Sequence, residues 1–384
     1  MTKISLPTDT GQLEPYTLTG TPITPTSLTR SASRVIYSAA HVVANPLSTT
    51  DPYGPADVDW EATLRFRVYL DELGLGIAEA MDTAQRGMGL DWDGAYELIK
   101  QTKTALPDAL VANGVGTDHL PAQNAYRLDE VKAAYMKQLE AVQSLDARVI
   151  LMASRALTRA AKSPDDYINL YSELLAHCDH PVILHWLGEM FDPALAGYWG
   201  SSEFEPAAEV VLSIIEANED KVDGIKISLL DKDKEIQLRR RLPKSVKMYT
   251  GDDFNYPELI AGDEHGFSHA LLGIFDPLAA AAAHAVNQLS AGDMAGFRAT
   301  LDPTVPLARH IFRTPTQYYK TGVVFLAWLN GFQDHFVMLN GAQAARSMPH
   351  LADIFKMADK AGLLAKPDLA QDRMRSLLKL YGIV

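Results

Sequence analysis

One cysteine, Cys178, is all that this 384-residue chain contains. An internal disulfide framework is therefore excluded, and the thiol usage suits a reducing compartment. Positive charge is also scarce: 35 Lys and Arg stand against 48 Asp and Glu, a formal net charge of −13. Binding to a phosphate backbone needs a cationic face, so nucleic acid is not expected as a main partner. The one strongly basic run, LRRRLPK at Leu238–Lys244, reads as the solvated end of a helix. Long hydrophobic runs are missing as well. No window reaches the ~18 apolar residues of a membrane helix, and FDPLAAAAAHAV is a short, alanine-rich globular helix. The start, MTKISLPTDTGQLEP, has no apolar core and is no secretory signal. These absences lead to the expectation of a soluble, cytoplasmic protein with neither a membrane nor a nucleic-acid partner.

What is present is apolar mass in a repeating order. Hydrophobic residues make up 47% of the chain, enough for a large core. Residues 1–33 are rich in Thr, Pro and Ser and read as an irregular leader or a short hairpin. Beyond them, short apolar runs alternate with amphipathic stretches. The strand candidates span 34–41, 75–82, 109–115, 148–154, 181–187, 222–228, 246–251 and 266–273. VDWEATLRFRVYLDEL and LDEVKAAYMKQLEAVQSL, between them, carry apolar residues at three- and four-residue spacing. KSPDD and SSEFEP carry helix-start signals. Eight strand–helix alternations over 34–292 favour an α/β fold, a (β/α)8 TIM barrel, with a C-terminal helical extension over 293–384 packed on it. An open doubly wound sheet is the alternative, but the first strand is not followed by a Gly-rich dinucleotide turn.

In such a barrel, chemistry gathers at the C-terminal ends of the strands. Those ends carry His41, Asp82, Asp118, His119, Arg155, His185, Lys226, Asp252 and Asp253. Each has a bland reading: a strand-end histidine is often only hydrogen-bonded, and GDD could be a turn that caps the helix at NYPELI. Lys226 is the sharpest signal, because VDGIKIS sets it between two isoleucines of a buried strand. A buried lysine without a partner costs several kcal/mol or surrenders its proton. A neutral amine can attack a carbonyl and form a Schiff base. The bland alternative pairs it with Asp82, Asp252 or Asp253 for structure alone.

The order PVILHWLG, VDGIKISL, VKMYTGDDFNYPELIAGDEHGFSHAL resembles the dihydrodipicolinate synthase / N-acetylneuraminate lyase superfamily. The opening IYSAAHVVANPLSTTDPYGPADVDWEATLRFRVYLDELGLG is similar to the first βα unit of that family. The resemblance covers roughly residues 34 to 330. It implies a barrel with C-terminal helices, often tetrameric, and its Schiff-base lysine falls on Lys226. The departures are as informative. His185 stands where the family carries its fifth-strand catalytic tyrosine. The hydroxyl pair of its GTTGE turn is replaced by AMDTAQRG, Ala80–Gly87. The tyrosine-bearing fourth-strand end reads MASRALT, with Arg155, and HWLGEMFDP lacks the arginine found in the synthases.

The resulting expectation is a class I lyase that cleaves a C–C bond by retro-aldol chemistry or removes water from a sugar-derived keto compound or keto acid. Lys226 forms the imine and His185 moves protons, with an ordinary pKa near ~6.5. His41, Asp82, Thr83, His119, Arg155, Asp252 and Asp253 bind substrate or orient the lysine. Asp82 disfavours an anion at close range, whereas Arg155 could clamp a carboxylate. No cofactor or metal is called for, and a homo-oligomer, dimer or tetramer, is expected. Two rivals remain. One is a metal-dependent sugar isomerase or lyase, with His41, Asp82, His119 and His185 around Mn²⁺ or Zn²⁺. The other is a barrel without catalysis that binds a small molecule.

Overall fold

The computed structural model describes residues 3–29, 32–122 and 124–383, so Arg30 and Ser31 of the leader lie outside the described residues. The chain divides into two compact units. One comprises residues 34–39 and 76–273 and contains a closed barrel of eight parallel strands. The hairpin strands β1 (Ile4–Pro7) and β2 (Leu13–Tyr16) belong to the other unit. The barrel strands are β3 (Ile36–Ala39), β4 (Gly76–Glu79), β5 (Val111–Val115), β6 (Arg148–Leu151), β7 (Val182–Leu187), β8 (Val222–Ser228), β9 (Lys247–Thr250) and β10 (His269–Leu272). They pair in chain order and β10 closes on β3. The fold is a (β/α)8 TIM barrel with further helices at the C-terminal end of the chain.

The eight expected strand runs all contain a barrel strand, because each is a short apolar stretch bounded by turn residues. Alternation along each strand sorts the faces. Tyr37, Ala78, Ala112, Ile150, Ile183, Tyr249 and Leu271 form the filled interior of the barrel. Ile225 and Ile227 are buried on the outer face of β8. Local signals start the helices. Asp91 accepts a hydrogen bond from Gly94 N (2.9 Å) at the start of Trp92–Ala105. Asp166 accepts from Ser163 N (3.0 Å) at the start of Pro164–Ala176, with proline at its first position.

The second unit comprises residues within 1–33, 40–75 and 274–384. Its compactness cuts the chain elsewhere than the expected boundaries at 33/34 and 292/293, since helix Trp60–Glu72 and helix Ala279–Ser290 fall in it. Helix Tyr319–Leu329 is buried along its whole length. The leader is tied down by its hairpin: the Tyr16 hydroxyl donates to Asp359 Oδ2 at 2.7 Å. The basic run is ion-paired and only partly solvated: Arg239, its side chain 7% exposed, and Arg240 meet Asp263, and Arg241 meets Glu205 and Glu209. No helix among the described residues is long and apolar enough to cross a membrane.

Candidate active site

Lys226 sits in the middle of β8, one strand over from His185 on β7, and the two are direct register partners. Adjacent strands run ~4.8 Å apart. Gly224, Lys226 and Ser228 share the inward face. The methylene stem of Lys226 crosses Gly251, where an added Cβ would lie 2.8 Å from Lys226 Cε. Lys226 is only 8% exposed. Burial pushes its amine below the ordinary lysine value, while the charges of Asp253 and then Asp82 act the other way. Its amine has no hydrogen bond or ion pair among the described residues.

His185 is 1% exposed. Its Nε2 lies 3.4 Å from Ser228 Oγ, and its Nδ1 has no hydrogen-bond partner among the described residues. Burial, reinforced by the Lys226 charge, pushes the imidazole well below 6.5. The ring is thus neutral at neutral pH, in contrast to the near-6.5 value expected for it. A neutral ring in this position can take a proton but has none to spare beyond its one N–H.

A cavity of 320 Å³ opens at the C-terminal ends of β4 to β7. Asp82, Thr117, His119, Ser154, Arg155 and His185 are among its lining groups, whereas Lys226 is not on its wall. The structure therefore brings Asp82, His119, Arg155 and His185 to one cavity. Thr83 follows Asp82 in a short 3₁₀ turn (Asp82–Ala84) and is buried away from the cavity. Arg155 opens helix Arg155–Ala160. Its Nε donates to Asp192, and its terminal nitrogens make no bond among the described residues. Its guanidinium is 47% exposed at the mouth.

Arg86, which carries no local motif to mark it, organises one side of this cavity. It is 5% exposed and donates to Asp118 through Nε (2.9 Å) and Nη2 (2.7 Å). It also reaches the carbonyls of Ala80 (3.2 Å) and Gly114 (2.5 Å) and Gln138 Oε1 (2.6 Å). Burial raises the Asp118 pKa, but the charge and hydrogen bonds of Arg86 outweigh it and hold the carboxyl below its ordinary value. Gln138 Nε2 lies 2.9 Å from His119 Nδ1. Burial, with Lys137, lowers the His119 pKa.

Two expected substrate groups are engaged otherwise. Asp252 accepts from Phe254 N (2.8 Å), Asn255 N (3.0 Å) and Asn255 Nδ2 (2.8 Å), which makes it the cap of its own turn. Burial raises its pKa against those bonds. The second missed residue stands behind that turn: buried Glu235 accepts from Thr250 Oγ1 (2.8 Å) and Ser268 Oγ (2.7 Å), and burial lifts its pKa to about 8. His41 belongs to the other compact unit and does not line the cavity. Its Nδ1 lies 2.7 Å from Asp276 Oδ2, its ring packs 4.5 Å from Phe66, and Arg67 donates to its carbonyl. It is fully buried. Among the described residues, no group of three His, Cys, Asp or Glu side chains is placed to share a metal ion.

Comparison with known proteins places the chain in a family. A family profile described as "Protein of unknown function (DUF993)" matches residues 4–383. The chain belongs to the DUF993 family. No curated protein matches it by sequence. Solved structures match it by fold. Dihydrodipicolinate synthase from Thermotoga maritima superposes with a TM-score of 0.65 at 16% identity, covering 87% of this chain and 100% of that one. The 4-hydroxy-tetrahydrodipicolinate synthase of Methylacidiphilum fumariolicum gives 0.63 at 16% identity, covering 90% and 99%. The chloride-inhibited dihydrodipicolinate synthase of Acinetobacter baumannii, complexed with pyruvate, gives 0.59 at 14% identity, covering 92% and 100%. This DUF993 protein thus has the fold of the dihydrodipicolinate synthases, with its sequence far diverged from theirs.

Proposed function

We propose that this protein is a Schiff-base lyase of the dihydrodipicolinate synthase-like type, cleaving or dehydrating a sugar-derived keto compound or keto acid. The observation that carries the reading is the buried, unpaired amine of Lys226 beside His185 inside a barrel of this fold. The pyruvate named for the Acinetobacter enzyme is a ketone of the class such an amine attacks.

The neutral amine adds to the substrate carbonyl, and loss of water from the carbinolamine gives a cationic iminium. Asp253 and Asp82, whose charges act on Lys226, favour that cation in a desolvated site. In retro-aldol cleavage, neutral His185 takes the proton of the substrate hydroxyl. The adjacent C–C bond then breaks, its electron pair enters the iminium, and an aldehyde leaves. The resulting enamine takes the proton back at carbon, and water releases the product ketone from Lys226. In dehydration, the base removes the proton next to the iminium and the neighbouring hydroxyl leaves as water. Arg155, with unused donors at the mouth, suits an anionic group at the far end of the substrate. His119 and Asp82 suit its hydroxyls. Asp252, held by its own turn, supports the neighbouring Asp253. A cytoplasmic homo-oligomer, dimer or tetramer, completes the reading and is checked by light scattering.

The test is borohydride reduction in the presence of keto-sugars and keto acids, read by mass spectrometry. A substrate-sized mass increment on Lys226 supports the reading. Failure of every carbonyl compound to leave an increment there sinks it.

A further inference from the structure

Gln138, fully buried on helix Leu128–Gln143, stands behind the side of the mouth cavity that Arg86 organises. Two obligate donors fix which end of its amide is which. Arg86 Nη2 (2.6 Å) and the Gly116 N–H (2.7 Å) both donate to Oε1. The two hydrogens of Nε2 then have two acceptors, Asp118 Oδ1 at 3.1 Å and His119 Nδ1 at 2.9 Å.

This pairing decides the state of the His119 ring. Nδ1 accepts and carries no proton, because a ring protonated there would set N–H against N–H. The neutral ring therefore holds its one proton on Nε2. Burial, with Lys137 and Arg86 against the opposing charges of Asp118 and Asp93, lowers the His119 pKa and favours that neutral ring. His119 is half-buried on the cavity wall. Its Nε2 is not an enclosed atom and has no hydrogen-bond partner among the described residues. With Nδ1 turned to the buried amide, Nε2 is the ring nitrogen left for the cavity.

We propose, on the Schiff-base reading, that His119 is a specificity residue: a donor-only contact, oriented by Gln138, that selects substrates with an oxygen acceptor on the arm beyond the carbonyl. A hydroxyl or carboxylate oxygen accepts from Nε2–H. An apolar arm leaves the donor unmatched, and an ammonium arm sets N–H against N–H. The substrate class is thus a polyhydroxy ketone or keto acid rather than an amino ketone. His119 is also no base in this state, since its one free lone pair is committed to Gln138, and proton transfer stays with His185.

The test has two arms, both on the full chain. ¹⁵N-histidine NMR of the ligand-free protein, with His119→Gln to assign the signal, should show a proton on Nε2 and none on Nδ1 at neutral pH. Gln138→Glu keeps an acceptor for Arg86 and Gly116 but replaces the amide donor with a carboxylate, so it should move a proton onto Nδ1. Borohydride trapping then compares xylulose with methyl propyl ketone, which has the same carbon chain without the hydroxyls. His119→Leu should slow xylulose trapping by about fivefold or more and leave the apolar ketone unchanged. His119→Gln, whose amide nitrogen reaches the place of Nε2, should restore the xylulose rate. A proton on Nδ1 in the wild type, an Nδ1 still bare in Gln138→Glu, or equal effects of His119→Leu on the two ketones overturns the proposal. Should Gln138→Glu not fold, the wild-type tautomer and the His119 pair decide. If the wild type traps neither ketone, the Schiff-base reading fails. Xylulose binding by isothermal titration, lost in His119→Leu and kept in His119→Gln, then supports the role of His119, and absence of that pattern overturns it.

Discussion

His185 and Lys226 are register partners on neighbouring strands, yet only the histidine reaches the wall of the mouth cavity. A carbonyl compound entering from that cavity meets the imidazole before the amine. In the proposed mechanism the pair would divide the work by depth, with proton transfer at the wall and covalent chemistry behind it.

Replacing the amine tests the deeper half. Lys226→Met should abolish the borohydride-trapped adduct. Stability should hold or rise, because a well-packed apolar side chain replaces a buried amine whose burial opposes its charge. Intact-protein mass and a thermal melt read both outcomes. A trapped adduct that persists in Lys226→Met places the covalent chemistry on another residue.

His185→Phe tests the wall. Turnover should fall by ~10²–10⁴, the usual range for an acid–base group, with imine formation retained. The melting temperature should change little, since Nδ1 has no partner to lose and Nε2 holds only a 3.4 Å contact. Near-normal turnover with a lowered melting temperature would return His185 to a structural role.

The acidic neighbour sets the pH dependence. Trapping needs the neutral amine, so its rate should climb as pH rises through a Lys226 pKa that lies below the ordinary lysine value. The Asp253 charge raises that pKa against burial. Asp253→Asn should therefore shift the climb to lower pH. A shift to higher pH in the trapping-rate profile contradicts the assignment of Asp253 as the lysine's neighbour.

Much of this was legible in the chain before folding. Each barrel strand announces itself as a short apolar run with turn residues at its ends, and Lys226 stands out because its flanks are isoleucines. The partner of His41, Asp276, is 235 residues away and leaves no local mark. Arg86 was invisible for a like reason. An arginine in AMDTAQRG looks solvated until the fold brings Asp118, Gln138 and the Gly114 carbonyl to it. Asp252 offered a clue in its spacing, since an aspartate two and three residues ahead of free backbone N–H groups is a turn cap. Glu235 gave none, because its burial depends on two strands that follow it.

Acid stability should report on a histidine far from this chemistry in sequence. His350 is fully buried with neither ring nitrogen hydrogen-bonded among the described residues, and burial, with the nearby His310, lowers its pKa to about 3. Below 6.5 the unfolded chain takes up a proton that the folded one refuses. Stability is then lost as pH falls from about 6.5 toward 3, at up to ~1.4 kcal/mol per pH unit from this group. His350→Leu should flatten that acid limb in urea unfolding followed across pH, and an unchanged limb shows that other groups govern it.

Gly251 gives the lysine strand a signature that can be sought elsewhere. The space its missing side chain leaves is shared by Ser228 Oγ, the Ile227 carbonyl and the Lys226 stem, from which an added Cβ would lie 2.2, 2.8 and 2.8 Å. Gly251→Ala should cost imine formation by displacing a residue it never bonds. A barrel of this kind with a bulkier residue after its seventh strand must route a sixth-strand lysine differently, whatever the rest of its sequence retains.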